Sequence, residues 1–129
     1  MELNKLVDFP TAKLLKEKGF NLKVVDFYNY EKLSLISDKN RQIDGFSNYN
    51  PINWNSVKEH YTSAPFISDV VDWLLEKHGV WISVDRHFDK FISKNNGVII
   101  DFDGEKRNYF ETPKEAYLAA IEYTLKHLI

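Results

Sequence analysis

The stretch Lys90–Tyr109, KFISKNNGVIIDFDGEKRNY, decides the fold, because it carries two turn dipeptides, Asn96-Gly97 and Asp103-Gly104. Type I′ hairpin turns need two residues with positive φ, and these dipeptides supply them. A two-residue turn at Asn96-Gly97 sets Lys94 opposite Ile99, Ile92 opposite Asp101 and Phe91 opposite Phe102. The same turn at Asp103-Gly104 sets Asp101 opposite Lys106, Ile100 opposite Arg107 and Val98 opposite Tyr109. One face then holds Phe91, Ser93, Val98, Ile100, Phe102 and Tyr109, and the other holds Lys90, Lys94, Asp101, Lys106 and Asn108. A one-residue slip would invert every assignment, so the division between apolar and charged residues supports the register. The sheet is expected to be dry on one side and wet on the other.

Upstream, Val80, Ile82 and Val84 alternate with Trp81, Ser83 and Asp85, which reads as a strand. Before it, Ile67, Val70, Val71, Leu74 and Leu75 recur at helical spacing, opened by Ser63-Ala64-Pro65 and closed by Gly79. Trp73 on this helix reads as core. Downstream, Thr112-Pro113-Lys114-Glu115 is a capping box with proline in the first turn, and Leu118, Ile121, Leu125 and Leu128 form the expected buried stripe. Near the start, Pro10, Leu14, Leu15 and Gly19 outline a short helix, with Phe20 packing back on it. Residues 23–30 and 33–36 read as a hairpin around Glu31-Lys32. Residues 38–62 show no sustained period, and their Asn, Gly and Pro content predicts a long loop. The expected class is α+β: an antiparallel meander sheet with helices on one face, in the order α-β-β-loop-α-β-β-β-β-α. Its 129 residues are expected to form a single domain over 1–129.

Composition narrows the function classes. Apolar residues make up 43% and charged residues 28%, which argues against a disordered chain. No apolar run approaches the roughly 20 residues a membrane-spanning helix needs. The start, Met1-Glu2-Leu3-Asn4-Lys5, lacks the basic-then-apolar pattern of a secretion signal, so a cytoplasmic location is expected. The sequence has no cysteine, which excludes disulfides, thiolate zinc sites and a cysteine nucleophile. Its 17 basic and 19 acidic residues give a formal charge of −2 with no run of like charge. Nucleic-acid binding usually needs a basic stripe for phosphate neutralisation, so it is not favoured.

Two stretches are similar to another group of proteins. One is Ser63-Ala64-Pro65 through Val70-Val71-Asp72-Trp73-Leu74-Leu75-Glu76-Lys77-His78; the other is Thr112-Pro113-Lys114-Glu115-Ala116-Tyr117-Leu118-Ala119-Ala120-Ile121. Both resemble small proteins of no assigned activity encoded in prophages and mobile elements of gut bacteria. The resemblance implies an intracellular accessory protein of a mobile element, and it assigns no role to any residue.

No His-x-x-x-His pair, Gly-rich phosphate loop or Gly-x-Ser-x-Gly elbow appears, so no cofactor is expected. Asp85, His87 and Asp89 bracket a bend where two carboxylates and an imidazole would suit a divalent ion, although Asp-rich turns also form for local backbone bonding. Asp103 is explained by its turn and Asp101 by Lys106. The strongest functional expectation rests on the aromatics of the long loop and the neighbouring strand: Phe46, Tyr49, Trp54, Tyr61 and Trp81. Rigid aromatics among small amides are the composition of protein-recognition loops. The competing reading is an ordered loop packed by these same rings, with Trp81 beneath it. The leading expectation is a non-enzymatic interaction domain with a protein partner or a second copy of itself. Its rivals are a nucleic-acid-associated protein that stacks bases and a small metal-dependent hydrolase.

Overall fold

The computed structural model describes residues 2–29, 34–36, 51–102 and 108–129. The fold is α+β with antiparallel pairing throughout its two three-stranded sheets. The chain divides into two compact units, one of residues 6–65 and one of residues 1–5 with 66–129.

In the first unit, α1 spans Phe9–Glu17 and starts where the sequence predicts. Asp8 caps it by accepting the Thr11 N–H at 3.0 Å, and Pro10 occupies the first turn. Gly19 takes a φ of 85°, and the Phe20 N–H returns to the Leu15 carbonyl at 3.0 Å. This closes the helix and buries the Phe20 ring. The predicted hairpin is present but short: β1 is Phe27–Asn29 and β2 is Ser34–Ile36, while its turn lies outside the described residues. Within the expected loop, the described residues 51–62 hold a 3₁₀ turn at Trp54–Ser56 and the start of β3, Tyr61–Ser63. β3 pairs with β1 through Phe27↔Ser63 and Asn29↔Tyr61, which makes β1 the central strand. A three-residue strand is too short to show a period, so only its tertiary partner reveals it. Asn55 ties these pieces together, donating to the Phe20 carbonyl at 2.9 Å and accepting from the Ser63 N–H at 2.8 Å.

Tyr28 links β1 to the chain before α1, its hydroxyl donating to the Val7 carbonyl at 2.8 Å and its ring meeting Phe9 edge-on. Burial, and secondarily the Asp8 carboxylate, pushes its phenol above the ordinary value. The folded form therefore holds this proton more tightly than the unfolded chain. That stability is full below the ordinary phenol range and is lost as pH rises above about 10. Tyr28→Phe is expected to cost about 1 kcal/mol at neutral pH. It should also flatten the alkaline loss of stability, as read by chemical denaturation near pH 7 and above pH 10.

In the second unit, α2 spans Ile67–His78 and buries Ile67, Val70, Val71, Trp73 and Leu74. Its start differs from the sequence reading. Ser63 belongs to β3, Phe66 is the cap residue, and the Asp69 carboxylate accepts the Phe66 N–H at 3.2 Å. Gly79 ends the helix at a φ of 68°, as predicted. Strands β4 (Ile82–His87), β5 (Lys90–Asn95) and β6 (Val98–Ile99) follow in meander order. Asn96 and Gly97 both have positive φ, and Lys94 faces Ile99 as the turn requires. The last helix, α3, spans Pro113–His127 and is capped by Thr112, whose hydroxyl accepts the Glu115 N–H at 3.1 Å. It lies on β4 and β5, with the buried Ser93 hydroxyl donating to the Ala116 carbonyl at 2.7 Å. α2 packs against α3 and the 3₁₀ turn Glu2–Asn4.

Ile100 is buried and Asp101 exposed, as the predicted register requires, but on β5 Ile92 and Ser93 are both buried, so burial along that strand does not alternate. Two details change. Phe91 pairs with Phe110, not Phe102, exchanging both backbone hydrogen bonds at 2.8–2.9 Å. Val98 and Tyr109, assigned to the dry face, are 69% and 47% exposed. The turn Asp103-Gly104 and its expected partners Lys106 and Arg107 fall outside the described residues. On α3 the buried stripe is Ala116, Ala120, Ile121, Thr124 and Leu125, whereas Leu128 is exposed. Small Ala side chains let the helix approach the sheet closely, which turns the apolar stripe away from the one Leu spacing suggests.

Candidate functional site

Of the aromatic residues singled out in the sequence, the described ones fall in both units. Phe46 and Tyr49 lie outside the described residues. Trp54 and Tyr61 sit in the 6–65 unit around Phe27, with ring centroids 4.1 and 4.6 Å from it. The Trp54 indole N–H donates to the Val24 carbonyl at 2.9 Å. These two rings thus build the small core beneath β1. Trp81 belongs to the other unit, just before β4, and is 44% exposed.

The open feature of the second unit is the β4–β5 hairpin. Cross-strand register places Ile82, Val84 and Arg86 on one face with Phe91, Ser93 and Asn95, the face that α3 covers. Ser83, Asp85 and His87 occupy the opposite face with Lys90, Ile92 and Lys94. Because Phe110 pairs with Phe91, Tyr109 and Glu111 fall on that opposite face too. Lys94 meets Asp85 at 2.5 Å, and Lys90 is ion-paired with Glu111. The His87 ring lies 5.4 Å from Tyr109. Burial, with Asp85 adding, holds the Tyr117 phenol of α3 above its ordinary value.

At the apex, Phe88-Asp89 forms a two-residue turn between His87 and Lys90. Phe88 has a φ of 58° and is 85% exposed, the most exposed of the large apolar side chains described. Its carbonyl accepts from Arg86 Nε at 2.9 Å, and its ring is 4.9 Å from His87. A bulky L-residue in the left-handed region is strained, and nothing in its exposure repays that strain by burial. Phe88→Gly is therefore expected to raise stability by about 0.5–1 kcal/mol, after allowing for the extra freedom of glycine in the unfolded chain. Thermal unfolding followed by circular dichroism checks this. In the sequence, the signal for this tip is a lone phenylalanine among the charged residues of Asp85-Arg86-His87-Phe88-Asp89.

Compared with protein-family models, curated proteins and solved structures, the chain matches none. Among the described residues, no three His, Asp or Glu side chains converge as a metal-binding group. Asp85 is engaged by Lys94, His87 by Phe88 and Tyr109, and Asp89 sits exposed in the turn. No helix among the described residues is long and apolar enough to cross a membrane.

Proposed function

We propose that the chain is a protein-binding module, without catalytic activity, that engages its partner through the β4–β5 hairpin with Phe88 as the anchoring side chain. The observation that carries this reading is the conjunction at Phe88: a large apolar ring, 85% exposed, held at a φ of 58° where glycine would be less strained. Buried aromatic anchors dominate the energetics of interfaces, and a ring displayed on a rigid turn loses little entropy on docking. His87 and Tyr109 extend the contact area, while the Lys90–Glu111 and Lys94–Asp85 pairs supply a polar rim. The resemblance to proteins of prophages and mobile elements supports an accessory role in such an element, inside the cell.

The test is site-specific photo-crosslinking in cells, with a photoreactive phenylalanine at position 88 and, as control, at the exposed Asp72 of α2. A discrete protein adduct is expected from position 88 and not from 72, and Phe88→Gly should lose the same protein on co-purification. A folded Phe88→Gly variant that retains every co-purifying protein overturns the proposal, as does the absence of an adduct at 88.

A further inference from the structure

Beside Phe88 the hairpin carries charge that its own fold does not neutralise. On the open face Lys94 is paired with Asp85, and Lys90 with Glu111. Arg86 and Asp89, which flank the tip, are exposed, and among the described residues no ion pair engages either of them. The two differ in how they are held. Arg86 Nε donates to the Phe88 carbonyl at 2.9 Å, so the guanidinium is fastened to the same residue that displays the ring. A guanidinium is planar, and a bond from Nε sets its plane while leaving the donors of both terminal nitrogens as a fork for another acceptor. No side-chain hydrogen bond among the described residues holds Asp89, so its carboxylate is not aimed. Arg86 is also the only arginine among the described residues, whereas the other cations of this hairpin are lysines already engaged by carboxylates.

We infer that the partner carries a carboxylate at the rim of the apolar pocket that takes Phe88, and that Arg86 grips it through its terminal nitrogens. This rests on the reading of Phe88 as the docking anchor. Seating the ring strips water from whatever lies beside it, and the guanidinium is bonded to the ring's own backbone. A cation that loses water without gaining a counter-charge opposes docking, so the pocket must supply the anion. A carboxylate meets both terminal nitrogens in parallel hydrogen bonds, and the fork is oriented before the partner arrives. An aromatic ring beside an arginine is also the pairing enriched at the energetic centres of interfaces. Asp89, exposed and not aimed, belongs to the wet rim, where a charge contributes little. The kind of partner that fits is thus a protein with an apolar pocket and an acidic edge.

The test takes the protein recovered in the position-88 adduct, purifies it, and titrates it against wild type, Arg86→Met, Arg86→Lys and Asp89→Asn. Each variant is first checked for a folded circular dichroism spectrum. Arg86→Met is expected to weaken binding about tenfold or more. Arg86→Lys keeps the charge but loses the fork, and should fall between Arg86→Met and wild type. Asp89→Asn should bind like wild type. Raising salt from about 0.05 to 0.5 M should weaken wild-type binding and leave Arg86→Met nearly unmoved, because only the wild type has this ion pair to screen. A merely structural role for Arg86 in the turn predicts the same salt dependence in both. Phosphatase treatment of the purified protein should change nothing; loss of binding would mean a phosphate in place of the carboxylate and overturns the inference. So does an Arg86→Met variant that binds as tightly as wild type or keeps the wild-type salt dependence. Absence of any adduct at position 88 removes the anchor and this inference with it, whereas an adduct whose binding ignores Arg86 overturns this inference alone.

Discussion

Replacing Phe27 with alanine is expected to destabilise the 6–65 unit by about 3–5 kcal/mol. Phe27 is 6% exposed and opens β1, stacked on Trp54 at 4.1 Å and tilted against Tyr61 at 4.6 Å. Its removal opens a void between a 3₁₀ turn and a three-residue strand, neither of which forms alone. The loss is a transfer term plus a cavity term plus the aromatic contacts themselves. Amide hydrogen exchange at β1 and β3 reads it directly, and Trp54 fluorescence should shift to the red as its stacking partner disappears. A loss below about 1 kcal/mol would mean that the ring cluster is not the core of this unit.

The second large effect is expected from Ile121→Ala on α3, at about 2–5 kcal/mol. Ile121 is fully buried, on the helix face formed with Ala116, Ala120, Thr124 and Leu125. The surrounding alanines are already small, so the site has little side chain with which to refill the space. Exchange should accelerate first in α3 and β5, just as Phe27→Ala should act first on β1 and β3. Should each substitution release both sets of amides together, the two units unfold as a single cooperative body; staggered release separates them.

Much of this molecule is legible in short windows of sequence. Pro10 starts α1, Gly19 ends it, and Thr112-Pro113 starts α3, each because a cap or a fixed or positive φ is a local demand. Asn96-Gly97 sets Lys94 against Ile99 for the same reason. The hairpin tip was legible only in part. Asp85, His87 and Asp89 drew attention as carboxylates and an imidazole, whereas the exposure of Phe88 depends on a turn geometry that its residue type disfavours. For Trp54 and Tyr61 the sequence leaves both readings open, a recognition surface and a loop packed by its own rings, because composition does not distinguish a ring that packs from one that waits for a partner. Their neighbour Phe27 comes from a distant part of the chain.

What the sequence by itself determined is the set of helices, the caps that start α1 and α3, and the tight turn at Asn96-Gly97. These depend on φ preferences and on side-chain periods that span a few residues. Only the tertiary structure decided that Tyr61–Ser63 is a strand, that Phe91 takes Phe110 as its partner, and that the chain gathers into two units. Those outcomes turn on which distant backbone groups meet. Segments of two or three residues carry too little period to announce such a partner, and hydrogen bonds with apolar burial settle the pairing once the chain is compact.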